Sequence, residues 1–275
     1  MNKKRLFVII LGSFISLNIC ATLQNLIQEP TVGFDSMSLR DLSLFKGTAV
    51  FNFNVSNPNP IGLTLNKLSY DLKIDDNEFV KGILDKGINL KANGSTAIEL
   101  PITINYLEFL GSVSEFIKKD NVAYDLSGVF EFFGFDIPYH NSGNIQIPDL
   151  PDISIENVGI KNISLTGASV VITLGMDNQN SFPVNISGLD YGIKLGGIQF
   201  ADGKSNTHAN IGKNGTTTME IPVNVNFLQM GLSAYNLLTK SSSGYTLTGN
   251  IKIDVPETGE KNFPFSKVGD VIFSK

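Results

Sequence analysis

The chain repeats its own sequence, and this repeat constrains the fold more than any other feature. Asn57 recurs as Asn178, an offset of 121 residues, and the offset holds without a gap from Pro30 to Gly128. Near the end it becomes 126, where Gly143 pairs with Gly269. Further matched pairs are Asn59 and Asn180, Tyr70 and Tyr191, Gly82 and Gly203, Pro101 and Pro222, and Tyr124 and Tyr245. A repeat of this length is the size of a domain, so the sequence predicts two tandem domains.

Within each repeat, apolar and polar residues alternate with a period of two. This period is typical of half-buried β-strands. The residues predicted to face inward are Ala49, Phe51, Phe53 and Val55, and their counterparts Val170, Ile172, Leu174 and Met176. In a later strand Pro101 and Pro222 take the outward phase, and because proline has no N–H to donate, we expect that strand at a sheet edge.

Local signals divide each repeat further. The apolar phase slips in both copies, which predicts a β-bulge near Asn66-Lys67 and near Ser187-Gly188. Asn93-Gly94 and Asn214-Gly215 are hairpin-turn signals that precede strands. One segment per copy has helical spacing instead, which predicts one short amphipathic helix. Its apolar residues are Leu110, Val113, Phe116 and Ile117 in the first copy, and Leu228, Ala234, Leu237 and Leu238 in the second.

These elements predict a mainly β chain with two tandem immunoglobulin-like antiparallel β-sandwiches, each with one short helix. We place the first domain at residues 31–148 and the second at 149–275. The connection at residues 147–152 contains Pro148 and Pro151, which favour an extended, semi-rigid link.

Residues 1–20 resemble a signal peptide, and residues 21–30 are interpreted as a tether. Basic residues at 3–5 precede an apolar stretch at 6–19, which is short for a membrane span. The segment ending at Cys20 resembles a bacterial lipobox, although Ile19 stands where a small residue is usual. We expect Cys20 to carry a lipid that anchors the chain to a membrane. A soluble secreted protein and an uncleaved N-terminal anchor are the alternatives. In each of the three cases we expect the rest of the chain to lie outside the cytoplasm. If Cys20 carries a lipid, we expect the protein to be anchored in the cell envelope, either at the outer membrane or facing the periplasm.

Residues 51–60 read FNFNVSNPNP and are followed by Leu68 and Tyr70 on the next strand. This pattern resembles the opening of the LEA14-like domain, the late-embryogenesis-abundant type 2 or water-stress and hypersensitive-response domain. In the second copy Gln179 and Ser181 replace the two prolines. The resemblance implies a folded β-sandwich, an association with desiccation and other stress, and no enzymatic activity. The motif residues are Asn57, Pro58, Asn59, Pro60, Tyr70, Asn178, Asn180 and Tyr191.

We interpret this motif as structural. Asparagine side chains bond nearby backbone and proline presets φ, so together they shape the exit from a strand. A ligand-binding role for Asn57 or Asn59 is the alternative.

No catalytic, cofactor or metal site is predicted. The net charge of −5 disfavours a nucleic-acid binder, and one cysteine excludes an internal disulfide or a cysteine-based zinc cluster. His140 and His208 are isolated in sequence and are interpreted as solvated loop residues. Gly203-Lys204-Ser205 resembles the end of a phosphate-binding loop, but Ile198 stands where that loop requires its first glycine. The acidic segment at residues 75–78 lacks the ligand spacing of a calcium loop and is interpreted as a solvated hairpin.

The sequence therefore predicts a non-catalytic envelope protein of desiccation or water-stress tolerance. The alternative is a binding module for an envelope protein, a glycan or a lipid. Aromatic residues that are unevenly shared between the copies would form this binding surface on the first copy, and a position in the core is the other interpretation. They are Phe130, Phe132, Phe133 and Phe135.

Overall fold

The computed structural model describes residues 27–85 and 87–275. They form two compact units. The first unit contains residues 27–40, Thr48–Ile104 and Asn121–Gln146. The second contains Asp41–Gly47, Asn105–Asp120 and Ile147–Lys275. The sequence repeat places its boundary at 148/149, whereas the compact units assign two segments of the first repeat, residues 41–47 and 105–120, to the second unit.

Each repeat runs through strands, two short helices and a final β-hairpin. The elements of the first repeat are β1 (Thr31–Arg40), β2 (Lys46–Asn57), β3 (Leu63–Ile74), β4 (Asn77–Leu84), β5 (Ile88–Leu90), β6 (Gly94–Asn105), α1 (Tyr106–Leu110), α2 (Val113–Lys118), β7 (Asn121–Phe132) and β8 (Phe135–Gln146). Those of the second are β9 (Asp152–Ile163), β10 (Gly167–Asn178), β11 (Val184–Ile186), β12 (Gly188–Leu195), β13 (Ile198–Ser205), β14 (Ala209–Ile211), β15 (Gly215–Asn226), α3 (Phe227–Met230), α4 (Leu232–Leu238), β16 (Ser242–Val255) and β17 (Gly259–Ser274).

The first unit is a β-sandwich of two sheets. One sheet has the order β1-β2-β6, and the other has the order β4-β3-β7-β8, with β5 paired to β3. Aromatic rings meet between the sheets: the ring centroid of Phe53 lies 5.2 Å from that of Phe130 and 4.9 Å from that of Tyr139. The core therefore lies between the two sheets, where the period-two pattern directs the apolar side chains.

In the second unit, seven strands of the second repeat form one continuous sheet. Its order is β13-β12-β16-β17-β9-β10-β15, and β11 pairs with β14 separately. The continuity comes from a short parallel pairing of β17 with β9, in which Phe273 faces Val158 and Ser274 faces Gly159. The prediction of a mainly β chain is confirmed in both units, and the immunoglobulin-like topology stays a prediction.

The predicted strand features are present. Phe51 and Ile172 are fully buried, as are the other inward-phase residues of β2 and β10. The pairing of β3 with β7 shifts register between Leu65 and Lys67, which confirms the first bulge. At the equivalent place in the second repeat the strand is interrupted at Ser187, between β11 and β12. The strands that carry Pro101 and Pro222, β6 and β15, lie at sheet edges as predicted.

Two short helices stand in each repeat where the sequence predicted one. Gly111 (φ 72°) separates α1 from α2, and Gly231 (φ 79°) separates α3 from α4. Glycine adopts positive φ without a steric penalty, so the chain turns at these residues and the helix restarts. In α2 the restart is capped by Ser112, whose side chain accepts a hydrogen bond from the backbone N–H of Glu115.

Candidate functional site

Two neighbouring asparagines join loops at the exit of β2. Asn57 and Asn59 are both buried. Asn57 Oδ1 accepts hydrogen bonds from the backbone N (3.0 Å) and Nδ2 (2.8 Å) of Asn59. Asn57 Nδ2 donates to the carbonyls of Ile61 (2.8 Å) and Lys91 (3.1 Å). One side chain thus joins its own loop to the turn that precedes β6. We call Asn57 and Asn59 the first asparagine bracket.

Asn59 extends the first bracket to the segment that precedes β1. Its Nδ2 donates to the carbonyl of Gln28 (2.8 Å), and its Oδ1 accepts from the backbone N of Gln28 (2.7 Å). Its carbonyl accepts from the backbone N of Asn93 (2.8 Å). The left-handed turn at Asn93 (φ 47°) is therefore also held by the bracket.

The second repeat contains the same network, which we call the second asparagine bracket, Asn178 and Asn180. Asn178 Oδ1 accepts from the backbone N (3.1 Å) and Nδ2 (2.8 Å) of Asn180. Asn178 Nδ2 donates to the carbonyls of Phe182 (2.8 Å) and Gly212 (3.0 Å). Asn180 exchanges two bonds with the backbone of Asp149, at 2.7 and 3.1 Å. Each partner in the second bracket lies 121 residues after its counterpart in the first.

The side-chain amides of the bracket asparagines form their hydrogen bonds with other protein atoms. In Asn57 both N–H groups donate and the oxygen accepts twice, which is all that a primary amide offers. The geometry therefore supports a structural function for the motif. Pro58 and Pro60 are exposed, as are Gln179 and Ser181. Since the bracket bonds involve the asparagines and backbone only, the two proline replacements leave the second bracket intact.

The motif tyrosines lie opposite glycines on neighbouring strands. Tyr70 faces Gly82 across β3 and β4, and Tyr191 faces Gly203 across β12 and β13. A Cβ placed at Gly203 would lie 2.7 Å from the Tyr191 hydroxyl oxygen, so the ring occupies the space that a side chain would fill. Tyr124 with Gly143 and Tyr245 with Gly269 repeat this arrangement. The tyrosine and glycine matches of the sequence repeat are thus cross-strand contacts.

Tyr106 is a buried tyrosine where the second repeat has Phe227. Its side chain is fully buried, and its hydroxyl has no hydrogen-bond partner among the described residues. Desolvation by burial raises the pKa of Tyr106 to about 12. A Cβ at Gly47 would lie 2.5 Å from its hydroxyl oxygen, so Gly47 provides the room for this ring.

The remaining candidates for chemistry lie apart. His140 is on strand β8 rather than in a loop, and its Nε2 lies 2.8 Å from a carboxylate oxygen of Asp125 at the surface. His208 is exposed, and residues 203–205 lie in β13. Asp75 and Asp76 form the left-handed turn of the β3–β4 hairpin. Across residues 27–85 and 87–275, no group of three or more His, Cys, Asp or Glu could hold a metal ion.

The predicted lipidation site, Cys20, lies outside the described residues. Within the described ranges, no helix has the length and apolar character needed to cross a membrane.

The four first-copy aromatics do not form one surface patch. Phe130 and Phe132 are buried, Phe135 is half-buried and Phe133 is exposed. Sequence reasoning also missed an exposed apolar group. Leu228 and Ile117, apolar residues of the two predicted helices, are exposed, and so are Leu165 and Leu232. An apolar pattern shows which residues avoid water, but it does not show which element covers them.

Comparison with known proteins identifies the family. The profile of the LEA_2 family, described as late embryogenesis abundant protein, matches residues 52–143 and 173–269, more than half of the chain. A soybean (Glycine max) protein described as a desiccation protectant protein Lea14 homolog is 24% identical over 121 residues, which cover 44% of this chain and 80% of that protein. A solution structure from Arabidopsis thaliana is 20% identical, with a TM-score of 0.37, and covers 48% of this chain and 87% of that one. A crystal structure from Archaeoglobus fulgidus is 15% identical, with a TM-score of 0.28, and covers 45% and 97%. The chain belongs to the LEA_2 family of late embryogenesis abundant proteins and contains two tandem LEA14-like domains.

Proposed function

We propose that this protein is a non-catalytic protein of water-stress tolerance, held in the cell envelope by a lipid on Cys20. The observation that carries the proposal is the family match in both repeats, together with a relative described as a desiccation protectant. The location rests on the lipobox-like segment that ends at Cys20.

The asparagine brackets support this function physically. A buried polar group that loses its hydrogen-bond partner costs about 1–3 kcal/mol. The bracket asparagines bond to protein groups, through partners such as Ile61, Lys91 and Gln28. Because these bonds remain when water is withdrawn, the loops of both repeats keep their conformation at low hydration.

A survival assay tests the function in the cell. The gene is deleted in the organism that carries it, and survival after drying and rehydration is compared with the parent strain. We expect the deletion strain to survive less well and the wild-type gene to restore survival. Equal survival of the deletion and parent strains would contradict the stress function.

The envelope location is tested separately. Cells fed a labelled fatty acid should label the wild-type chain, and Cys20→Ala should abolish the label and release the chain from membranes. A label that persists in Cys20→Ala would overturn the lipid anchor and leave the stress function to be judged by survival alone.

A drying assay on purified protein tests the physical argument. The wild-type chain, Asn57→Ala and the control Asn206→Ala, which changes an exposed loop asparagine, are dried and rehydrated. We expect the wild type and Asn206→Ala to recover their circular-dichroism spectra, and Asn57→Ala to recover less. Equal recovery of all three would show that the bracket has no part in tolerance to drying.

A binding module remains the second candidate because of one observation. Leu165, Leu228 and Leu232 are exposed in the same repeat. Exposed apolar residues that cluster mark interaction surfaces more often than chance. Their aliphatic character suits a protein or lipid partner better than a glycan.

A further inference from the structure

The same end of the two repeats is built alike. In the first repeat the loop between β1 and β2 meets α1, where the backbone N of Tyr106 donates to the carbonyl of Phe45 (2.9 Å). In the second repeat the loop between β9 and β10 meets α3, where the backbone N of Phe227 donates to the carbonyl of Thr166 (3.0 Å). The two loops and the helices that follow are therefore equivalent surfaces.

Their burial differs sharply. Leu44 is 5% exposed, and its counterpart Leu165 is 90% exposed. Within the second unit, the ring of Phe45 stacks on Phe263 of β17 at 5.5 Å and lies 5.8 Å from Phe116. Lys46 Nζ lies 3.8 Å from a carboxylate oxygen of Glu257, in the turn between β16 and β17. The β16–β17 hairpin therefore covers the first of the two equivalent surfaces.

The second surface is uncovered in the described chain. We call Leu165, Leu228 and Leu232 the open end; they are 90%, 80% and 78% exposed. A groove of about 270 Å³ lies in the same loop and helix region, between the end of β9 and α4. Its lining includes Ile163, Tyr235, Lys161 and Lys275. The region is therefore apolar and carries lysine side chains.

The first repeat contains the counterpart of the covering hairpin. The pair Phe130 and Ile137 of β7 and β8 corresponds to Ile251 and Phe263 of β16 and β17. We call Phe133, at the turn of β7 and β8, the hairpin tip; it is 73% exposed. Glu131 and Asp136 flank the hairpin tip, and a carboxylate oxygen of Glu131 lies 2.8 Å from Nζ of Lys67. The tip therefore combines an exposed aromatic ring with negative charge.

We infer that the open end of one chain docks on the hairpin tip of a second copy of this chain. Between two chains, the contact would provide a counterpart of the packing that covers Leu44 within the second unit, with Leu165 in the place of Leu44 and Thr166 in the place of Phe45. Apolar side chains meet on both surfaces, and the lysines of the groove oppose the carboxylates of the tip. Because two different surfaces take part, the contact is heterologous, and each added chain offers a new free surface at either end of the assembly.

Sedimentation of the full chain over a concentration series tests this inference. Leu165→Ser and Phe133→Ser each change an exposed residue, and Val268→Ser, at a residue 73% exposed on β17, is the matched control. We expect the average mass of the wild type to rise with concentration. Each of the two interface variants should raise the dissociation constant at least about tenfold, as expected for one buried apolar side chain. Val268→Ser should sediment as the wild type does.

A mixing experiment tests the heterologous geometry. Leu165→Ser keeps its hairpin tip and Phe133→Ser keeps its open end. An equal mixture should therefore form dimers, while larger assemblies stay absent because the remaining surfaces are both altered.

Three results would overturn the inference. The first is a wild-type chain that stays monomeric at every concentration. The second is a loss of association in Leu165→Ser but not in Phe133→Ser. The third is a monomeric chain that binds vesicles of anionic phospholipid through Leu165, which would assign the open end to a lipid surface.

Discussion

The two repeats agree at one end of their second strand and differ at the other. Where β2 and β10 end, the two asparagine brackets share every type of bond, and Asn57 and Asn178 are both buried. Where these strands begin, Leu44 is covered and Leu165 is exposed. A bracket residue has several buried partners, so a change in one member leaves the others unpaired. A surface residue has no such constraint, and its environment differs between the two copies.

The largest effect should separate Leu44 from Leu165. We expect Leu44→Ala to lower the free energy of unfolding by about 3 kcal/mol, because it removes buried methyl groups and leaves a cavity. Leu165→Ala should change it by less than about 0.5 kcal/mol, as exposed substitutions usually do. Urea denaturation at low protein concentration measures both. Equal losses in the two variants would show that Leu165 is also covered in solution.

The brackets should respond alike to the same substitution. Asn57→Ala and Asn178→Ala should each lower the free energy of unfolding by about 2–3 kcal/mol, because buried carbonyls lose their donors. Urea denaturation again provides the measurement, with Asn206→Ala as the exposed control. If one bracket variant loses much more than the other, the two networks are not energetically equivalent.

Glycines inside the strands give the third comparison. A Cβ at Gly128 would collide with the backbone carbonyl oxygen of Ser69, and one at Gly249 with that of Asp190. Gly33 is the control, since its Cβ would lie 3.7 Å from the nearest atom, the Asn54 carbonyl oxygen. We expect Gly128→Ala to lower the thermal midpoint through a loss of about 2 kcal/mol, whereas Gly33→Ala should keep it unchanged. A stable Gly128→Ala variant would mean that β3 and β7 move apart at little cost.

The smallest effect concerns Tyr106, where the second repeat has Phe227. Tyr106→Phe should raise the free energy of unfolding by about 1 kcal/mol at neutral pH, because it removes a buried hydroxyl that has no partner among the described residues. The result would be reversed if that hydroxyl were hydrogen-bonded in solution.

Alkaline titration gives a second reading of Tyr106. Its pKa rises from 10.0 to about 12 on folding, so the protonated form is favoured in the native state. Below about pH 10 the native state is therefore as stable as at neutral pH, and the free energy of unfolding falls as the pH rises toward 12, because the unfolded chain loses the Tyr106 proton first. Burial also raises the pKa of Tyr124 and Tyr139, but these two tyrosines are present in the wild type and in Tyr106→Phe alike. The difference between wild type and Tyr106→Phe in urea denaturation from pH 9 to 12 therefore isolates Tyr106, and parallel curves would contradict its shift.

The sequence predicted the strand faces well because a strand has only two of them. A period of two shows which residues point inward, and the same pattern is present in both copies at an offset of 121 residues. Proline at 101 and 222 located the edge strands for a similar reason, since the missing N–H excludes a central position.

Contacts that depend on backbone position were beyond sequence reasoning. The bracket partners Gln28 and Asp149 take part through their main chains, so their side chains give no signal. The match of Gly82 with Gly203 was visible as a repeat, but its cause, the tyrosine on the next strand, appears only with the register. Gly111 and Gly231 could have indicated that each predicted helix divides into two. The apolar spacing continues across both glycines, so the sequence predicted one helix instead.

The prolines of the outer strands have a consequence for a solution that is losing water. As volume falls, the protein concentrates and strand edges of different molecules meet, which is the first step of cross-β aggregation. Pro101 on β6 and Pro222 on β15 interrupt the row of N–H donors along those margins. Each unit thus has, at one margin of a sheet, a residue that resists fibre growth when the protein is concentrated.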